Sequence, residues 1–227
     1  MDESETLRAL LAGMGVGAHL VAPLARYGEL LLEANRRFNL TGADTPEELA
    51  PHLFDSLTAA AFVEDPLVDI GSGGGLPAIP LAIVTGVRVT LIEATSKKAA
   101  FLEAVLDKLD LEGTVIPQRA ELAGRDPTLR ERFASATARG VSSAPAVLEL
   151  ALPFLRQGGR AVLQRGRMDA RERDALIDAA RMLGGEFAED VPAGGERRII
   201  LVQKMGPTPA RFPRRPGVPE KRPLCFS

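Results

Sequence analysis

Four glycines in the run Asp69-Ile-Gly71-Ser-Gly73-Gly-Gly75, with Glu93 placed 22 residues after the first of them, are where this sequence first suggests chemistry. A short apolar run precedes the loop and a helical pattern follows it, the context in which a glycine loop holds a nucleotide. Glycines there allow a tight turn and let a ligand approach the backbone, while the following helix offers unpaired N–H groups. A dinucleotide fold prefers another glycine at position 76, which is Leu76 here. The spacing of the loop instead favours S-adenosylmethionine (SAM), which has no pyrophosphate. A carboxylate at the position of Glu93 is placed to accept hydrogen bonds from ribose hydroxyls, and it also suits a sulfonium cation. The same carboxylate can cap the helix that begins near Thr95, and the two roles are compatible.

The elements that must position these residues follow from hydrophobic periodicity. Residues 1 to about 62 carry leucines at helical spacing, and Thr45-Pro46-Glu47-Glu48 reads as a helix start. Short strands are expected at Pro66–Ile70, Arg88–Ile92, Thr114–Pro117, Ala134–Ala138 and Arg160–Gln164. Helices are expected between them, the later ones near Ala146–Leu152 and Ala170–Leu183. Two further strands, Glu186–Val191 and Arg197–Gln203, flank Pro192-Ala-Gly-Gly195, which predicts a hairpin and an antiparallel last strand. The implied fold is α/β: a Rossmann-like sheet of about seven strands with a helical N-terminal extension. Three regions are expected, a helical cap at 1–62, a cofactor-binding core at 63–205 and a Pro/Arg-rich tail at 206–227.

Composition excludes several classes. One cysteine, Cys225, cannot form an internal disulfide, and two histidines are too few for a His-rich metal site, so no metal is expected. The start carries Asp2, Glu3 and Glu5 where a secretion signal is basic, and no apolar run is long enough to cross a bilayer. A cytoplasmic protein without a membrane partner is the expectation. Net charge is −2, so any nucleic-acid partner must be met by a local basic face. Such a face is available. Lys97 and Lys98 follow the second strand, Arg139 the fourth, and Arg165 and Arg167 the fifth. A reversed last strand returns Arg197 and Arg198 to that edge. The tail adds five basic residues against Glu220, and it either extends this face or is a solvated end. His52 and Asp55, three apart on a helix, read as a structural pair rather than a catalytic dyad.

Several segments together resemble the bacterial 16S ribosomal RNA guanine-N7 methyltransferase family, also called glucose-inhibited division protein B. They are Asn39-Leu-Thr41, His52-Leu-Phe-Asp-Ser-Leu57, Gly71 through Pro80, Glu93-Ala-Thr-Ser-Lys-Lys98, Arg119-Ala-Glu121, Ala138-Arg139 and Pro213 through Leu224. The resemblance implies methyl transfer from SAM to N7 of a guanine in the decoding-region hairpin of 16S rRNA, free or in the 30S subunit or an assembly particle. It places Gly71, Gly73 and Leu76 in the cofactor loop, and Glu93, Ala94 and Thr95 on the ribose and adenine side. It puts Ala120 and Glu121 at the adenine edge and Arg139 beside cofactor and substrate. Asn39 is a candidate for positioning the substrate by a hydrogen bond to the guanine, or it caps a turn. The sequence departs from the family pattern at Leu76 and Ala78, and at Arg165-Gly166 in place of Lys-Gly. Two rival readings are an NAD-dependent oxidoreductase, disfavoured by Leu76, and a non-enzymatic ribosome-assembly factor with a relic cofactor pocket.

Overall fold

The computed structural model describes residues 2–140 and 142–225. Helices α1 (Glu3–Gly13), α2 (Ala18–Asn35) and α3 (Pro46–Leu57) form the N-terminal layer. The start of α3 is set locally: the Thr45 side chain accepts the Glu48 N–H at 3.3 Å, and the Glu48 carboxylate accepts the Asp44 N–H at 2.8 Å. A 3₁₀ turn at Ala60–Phe62 leads into the sheet.

The sheet and its helices then alternate: β1 (Leu67–Ile70), α4 (Ala78–Thr85), β2 (Val89–Ile92), α5 (Ser96–Lys108), β3 (Gly113–Ile116), α6 (Ala120–Ala123), β4 (Phe133–Arg139), α7 (Ala144–Ala151), β5 (Leu155–Arg165), α8 (Ala170–Met182), β6 (Gly185–Pro192) and β7 (Arg198–Lys204). A single turn of helix, α9 (Val218–Lys221), lies in the C-terminal segment. The strand order is β3-β2-β1-β4-β5-β7-β6, with β7 antiparallel to both neighbours. The order reverses between β1 and β4, and a crevice opens beyond the carboxyl ends of strands at such a point.

Alternation along the strands assigns each face its own core. Leu67, Val89, Leu91, Ile199 and Leu201 point to the side covered by the N-terminal helices, among Leu7, Leu24, Leu31, Leu49 and Leu53. Val68, Ile70, Ile200 and Val202 point to the other side, among Leu148, Phe154 and Leu176. The C-terminal segment joins this second core through Phe212 and Leu224. β5 begins at Leu155, five residues before the expected Arg160, because Leu155 pairs with Phe133 across an irregularity that absorbs Gly158 and Gly159. Two glycines in succession hide that pairing in the sequence. No helix among the described residues is long and apolar enough to cross a membrane.

Candidate functional site

The glycine loop closes on itself and on the neighbouring strand. Gly71 and Ser72 donate their N–H groups to the Ile92 carbonyl at 2.9 and 3.1 Å, and Gly75 donates to Ser72 at 2.7 Å. Gly75 has φ +98°, and a Cβ there would lie 2.6 Å from Ile79 Cγ1, so backbone and space both require glycine. The buried Tyr27 hydroxyl donates to the Gly74 carbonyl at 2.7 Å, fastening the loop to α2.

Glu93 is buried at the end of β2 and holds two elements at once. Its Oε2 accepts the Gly73 N–H at 2.9 Å and its Oε1 accepts the Thr95 N–H at 2.7 Å. Thr95 makes no side-chain cap on α5, so the carboxylate serves that helix start. Each oxygen keeps lone-pair capacity for a further donor.

Two cavities flank the crevice, and Ser142 lines both. The smaller, about 160 Å³, is bounded by Gly71, Glu93, Ala94, Ala120 and Glu121, all expected from the sequence, together with Gln118, Arg119 and Glu220. Gly73, Leu76 and Thr95 are not in its wall; Leu76 packs against the core beneath the N-terminal helices. Acceptors for a ribose diol and a carboxylate-rich rim suit the polar and cationic parts of SAM, while Ile70, Ile92 and Leu150 supply apolar surface.

Glu220 reaches this cavity because the C-terminal segment is held against the core. Gly217 donates its N–H to Glu121 Oε1 at 2.7 Å. Arg214 engages Glu149, which is 0% exposed, through its backbone N–H at 2.7 Å, Nε at 2.8 Å and Nη2 at 2.6 Å. Arg125 and Arg130 donate to carbonyls of Arg211, Phe212 and Pro213. Of the two readings of the basic tail, a solvated end does not describe residues 206–225. The sequence marks Glu121 and the tail separately and carries no sign of their contact, 96 residues apart.

The larger cavity, about 560 Å³, gathers Arg139, Arg165, Arg197 and Arg198 with His52, Asp55, Gln164 and Gly166. Arg139 Nη2 donates to His52 Nδ1 at 2.9 Å, and its Nη1 lies 3.4 Å from Asp55 Oδ2. Arg197 Nη1 lies 2.9 Å from Asp55 Oδ1. His52 and Asp55 therefore do not pair with each other as their spacing suggested; each meets Arg139. Burial first, then the guanidinium groups of Arg139 and Arg197, hold the His52 imidazole below its usual pKa. Arg165 pairs with Glu172 at 2.9 Å and Arg198 with Asp190 at 2.6 Å, so part of the cavity's charge is neutralised within the fold.

Asn39, Lys97, Lys98 and Arg167 line neither cavity. Asn39 is exposed in the α2–α3 loop, and Lys97 Nζ stands 5.8 Å from the Phe38 ring centroid on the adjoining surface. Among the described residues no group of His, Cys, Asp and Glu is placed to hold a metal ion.

Behind the loop, Asp69 is buried, with Oδ1 accepting the Thr137 hydroxyl at 2.7 Å and Oδ2 without a partner. Burial pushes this carboxyl up to about 7, against the hydrogen bond from Thr137.

Comparison with known proteins shows the family. Residues 21–200 match the family model GidB, described as rRNA small subunit methyltransferase G. A protein named "Ribosomal RNA small subunit methyltransferase G" from Chloroflexus aggregans is 41% identical over 222 residues, covering 93% of each chain. Its namesake from Leuconostoc mesenteroides is 37% identical over 241 residues, covering 99% of this chain and 100% of that one. Among solved structures, an O-methyltransferase from Bacillus cereus in complex with SAH superposes with a TM-score of 0.55 at 21% identity. That match covers 79% of this chain and 91% of the other, a likeness of fold. With most of its length matched by the family model and close relatives aligned nearly end to end, this chain belongs to the GidB family of rRNA small subunit methyltransferases, enzymes that take their methyl group from SAM.

Proposed function

We propose that the protein transfers a methyl group from SAM to N7 of a guanine in the decoding-region hairpin of 16S rRNA, acting in the cytoplasm on the RNA or on a small-subunit particle. The observation that carries this reading is the pair of cavities meeting at Ser142, one rimmed by carboxylates and the other by arginines. A sulfonium cofactor suits the first and a phosphate-bearing base the second.

Gly71, Glu93, Ala94, Ala120 and Glu121 would hold the cofactor, with Gly73 and Thr95 acting through the Glu93 carboxylate they share. When bound, SAM supplies an electrophilic methyl group. Guanine N7 has a lone pair and no proton, so the protein needs no general base. Its work is to orient the base and exclude water. Arg139 is the group for positioning the substrate nucleotide. Arg165, Arg197 and Arg198 face RNA phosphates, with Lys97, Lys98 and Arg167 as outlying contacts. Asn39, on the exposed α2–α3 loop, is a further contact for the RNA.

The test uses 16S rRNA and 30S subunits from cells lacking this activity, incubated with protein and SAM. Methylated guanines are then mapped by reduction and strand cleavage at N7-methylguanine. One new cleavage site in the decoding region is expected. Methylation elsewhere on the base, or none, would overturn the reading. Titration calorimetry should show binding of SAM and none of NAD, and binding of NAD alone would favour an oxidoreductase instead.

A further inference from the structure

The larger cavity contains one feature that phosphate binding leaves without a purpose: a neutral imidazole with one nitrogen already committed. Arg139 is a guanidinium with donors only, so the 2.9 Å contact makes His52 Nδ1 the acceptor. The ring proton then sits on Nε2. No described residue bonds Nε2, and His52 is part of the cavity wall.

The ring is also well anchored. It stands on α3, where Ser56 Oγ donates to the His52 carbonyl at 2.8 Å and Arg139 Nη1 lies 3.3 Å from the same oxygen. The arginines around it already face carboxylates: Arg139 and Arg197 at Asp55, Arg165 at Glu172, Arg198 at Asp190.

We propose that His52 reads the target base by donating its Nε2–H to guanine O6. This deepens the methyltransferase reading and rests on it. On the guanine edge that carries N7, the only other acceptor is O6. N7 must keep its lone pair for the methyl group, so O6 is where a donor can recognise this edge without blocking the reaction. Adenine presents an amino group at that position, and two donors would then face each other. A neutral donor suits the site, because a cation on O6 would draw electron density from N7. The lowered basicity of His52 keeps it in that neutral form at physiological pH. His52 gives up no proton in this scheme. It is a specificity and positioning residue.

The test compares two small-subunit particles, reconstituted on 16S rRNA carrying guanine or 2-aminopurine at the methylated position. 2-Aminopurine keeps N7 and lacks O6. The wild-type protein should methylate guanine particles about tenfold faster than 2-aminopurine particles, as expected for one lost hydrogen bond in a closed site. His52→Ala should slow guanine particles by about the same factor and leave 2-aminopurine particles unchanged. His52→Gln, which offers a neutral amide donor, should restore most of the guanine preference. SAM affinity and melting temperature, measured on each variant, separate this from a general loss of structure.

Equal slowing of both particles by His52→Ala, in a variant that melts and binds SAM as the wild type does, overturns the proposal. So does a guanine preference retained by His52→Ala. Absence of N7 methylation by the wild type on guanine particles is a different outcome: it removes the guanine-N7 reading itself, and this assignment with it.

Discussion

Arg139 and Arg197 share one carboxylate. The two oxygens of Asp55 lie 3.4 Å from Arg139 and 2.9 Å from Arg197, and Asp55 is 8% exposed. The sequence brought Arg139 and Arg197 to one edge from the fourth strand and the reversed last strand, with no sign of a common partner. The shared partner couples them. Truncating either one leaves Asp55 facing the other alone.

Alanine substitutions at the two arginines should therefore be non-additive in RNA affinity, with a coupling of about 0.5–3 kcal/mol. Arg197→Ala alone should weaken RNA binding, reduce its salt slope by roughly one unit and leave SAM affinity intact. Filter binding of the single and double variants across a salt series measures both effects. Strict additivity would show that Asp55 does not link them.

Glu93→Ala should weaken SAM binding by about 1–3 kcal/mol, since ribose hydroxyls would lose an acceptor and the loop would lose its tie to α5. Calorimetry on the folded variant is the measurement. Unchanged affinity would remove Glu93 from the cofactor site.

Asp69 makes stability depend on pH with an uncommon sign. Its folded value is about 7 against an ordinary 3.8. Between those values the folded protein holds a proton that the unfolded chain has lost, so stability falls as pH rises from about 4 to 7 and levels off above. The effect is on the order of 4 kcal/mol at most. Asp69→Asn, which can still accept from Thr137, should abolish that fall. Urea unfolding at pH 4.5 and pH 8 should then show the variant gaining on the wild type at the higher pH, and equal changes in both proteins would refute this.

Arg214→Ala should destabilise the fold by about 3–5 kcal/mol, because Glu149 would be left buried without its charge partner. Pairing the change with Glu149→Leu should recover much of the loss. A single variant that unfolds at the wild-type urea concentration would mean that the C-terminal segment is not held by this pair.

The methyl-transfer step should be nearly independent of pH from about 6 to 9, since N7 needs no base. Single-turnover rates measure it directly, and a tenfold rise per pH unit would require a titrating base.

Local patterns made the scaffold legible. Buried strands such as Leu67–Ile70 read as short apolar runs, and the Thr45 cap and the Pro192–Gly195 link announce their own geometry. The fold places Gly71 and Glu93 as their spacing implied because a strand, a loop and the next strand fix that distance. What sequence could not supply is pairing over long separations. Arg139 meets His52 across 87 positions, and Glu121 meets Gly217 across 96. Arginine counts also overstate the basic edge, since a carboxylate opposite Arg165 or Arg198 is invisible until the chain folds. The start of β5 escaped for a local reason, two glycines that no strand pattern favours.

The reversed β7 separates two things that parallel strands would have bound together. Arg139 and Arg165 stand at the finishing ends of β4 and β5, fixed by the sheet, whereas Arg197 and Arg198 arrive from the tip of a hairpin. That tip, Gly194–Gly195, has positive φ at both residues and nothing within 4 Å of where a Cβ would stand. Residues added there extend into open space and displace no part of β1, β4 or the glycine loop. The hairpin tip is thus an adjustable arm: residues added at Gly194–Gly195 lengthen it while β4, β5 and the glycine loop stay as they are.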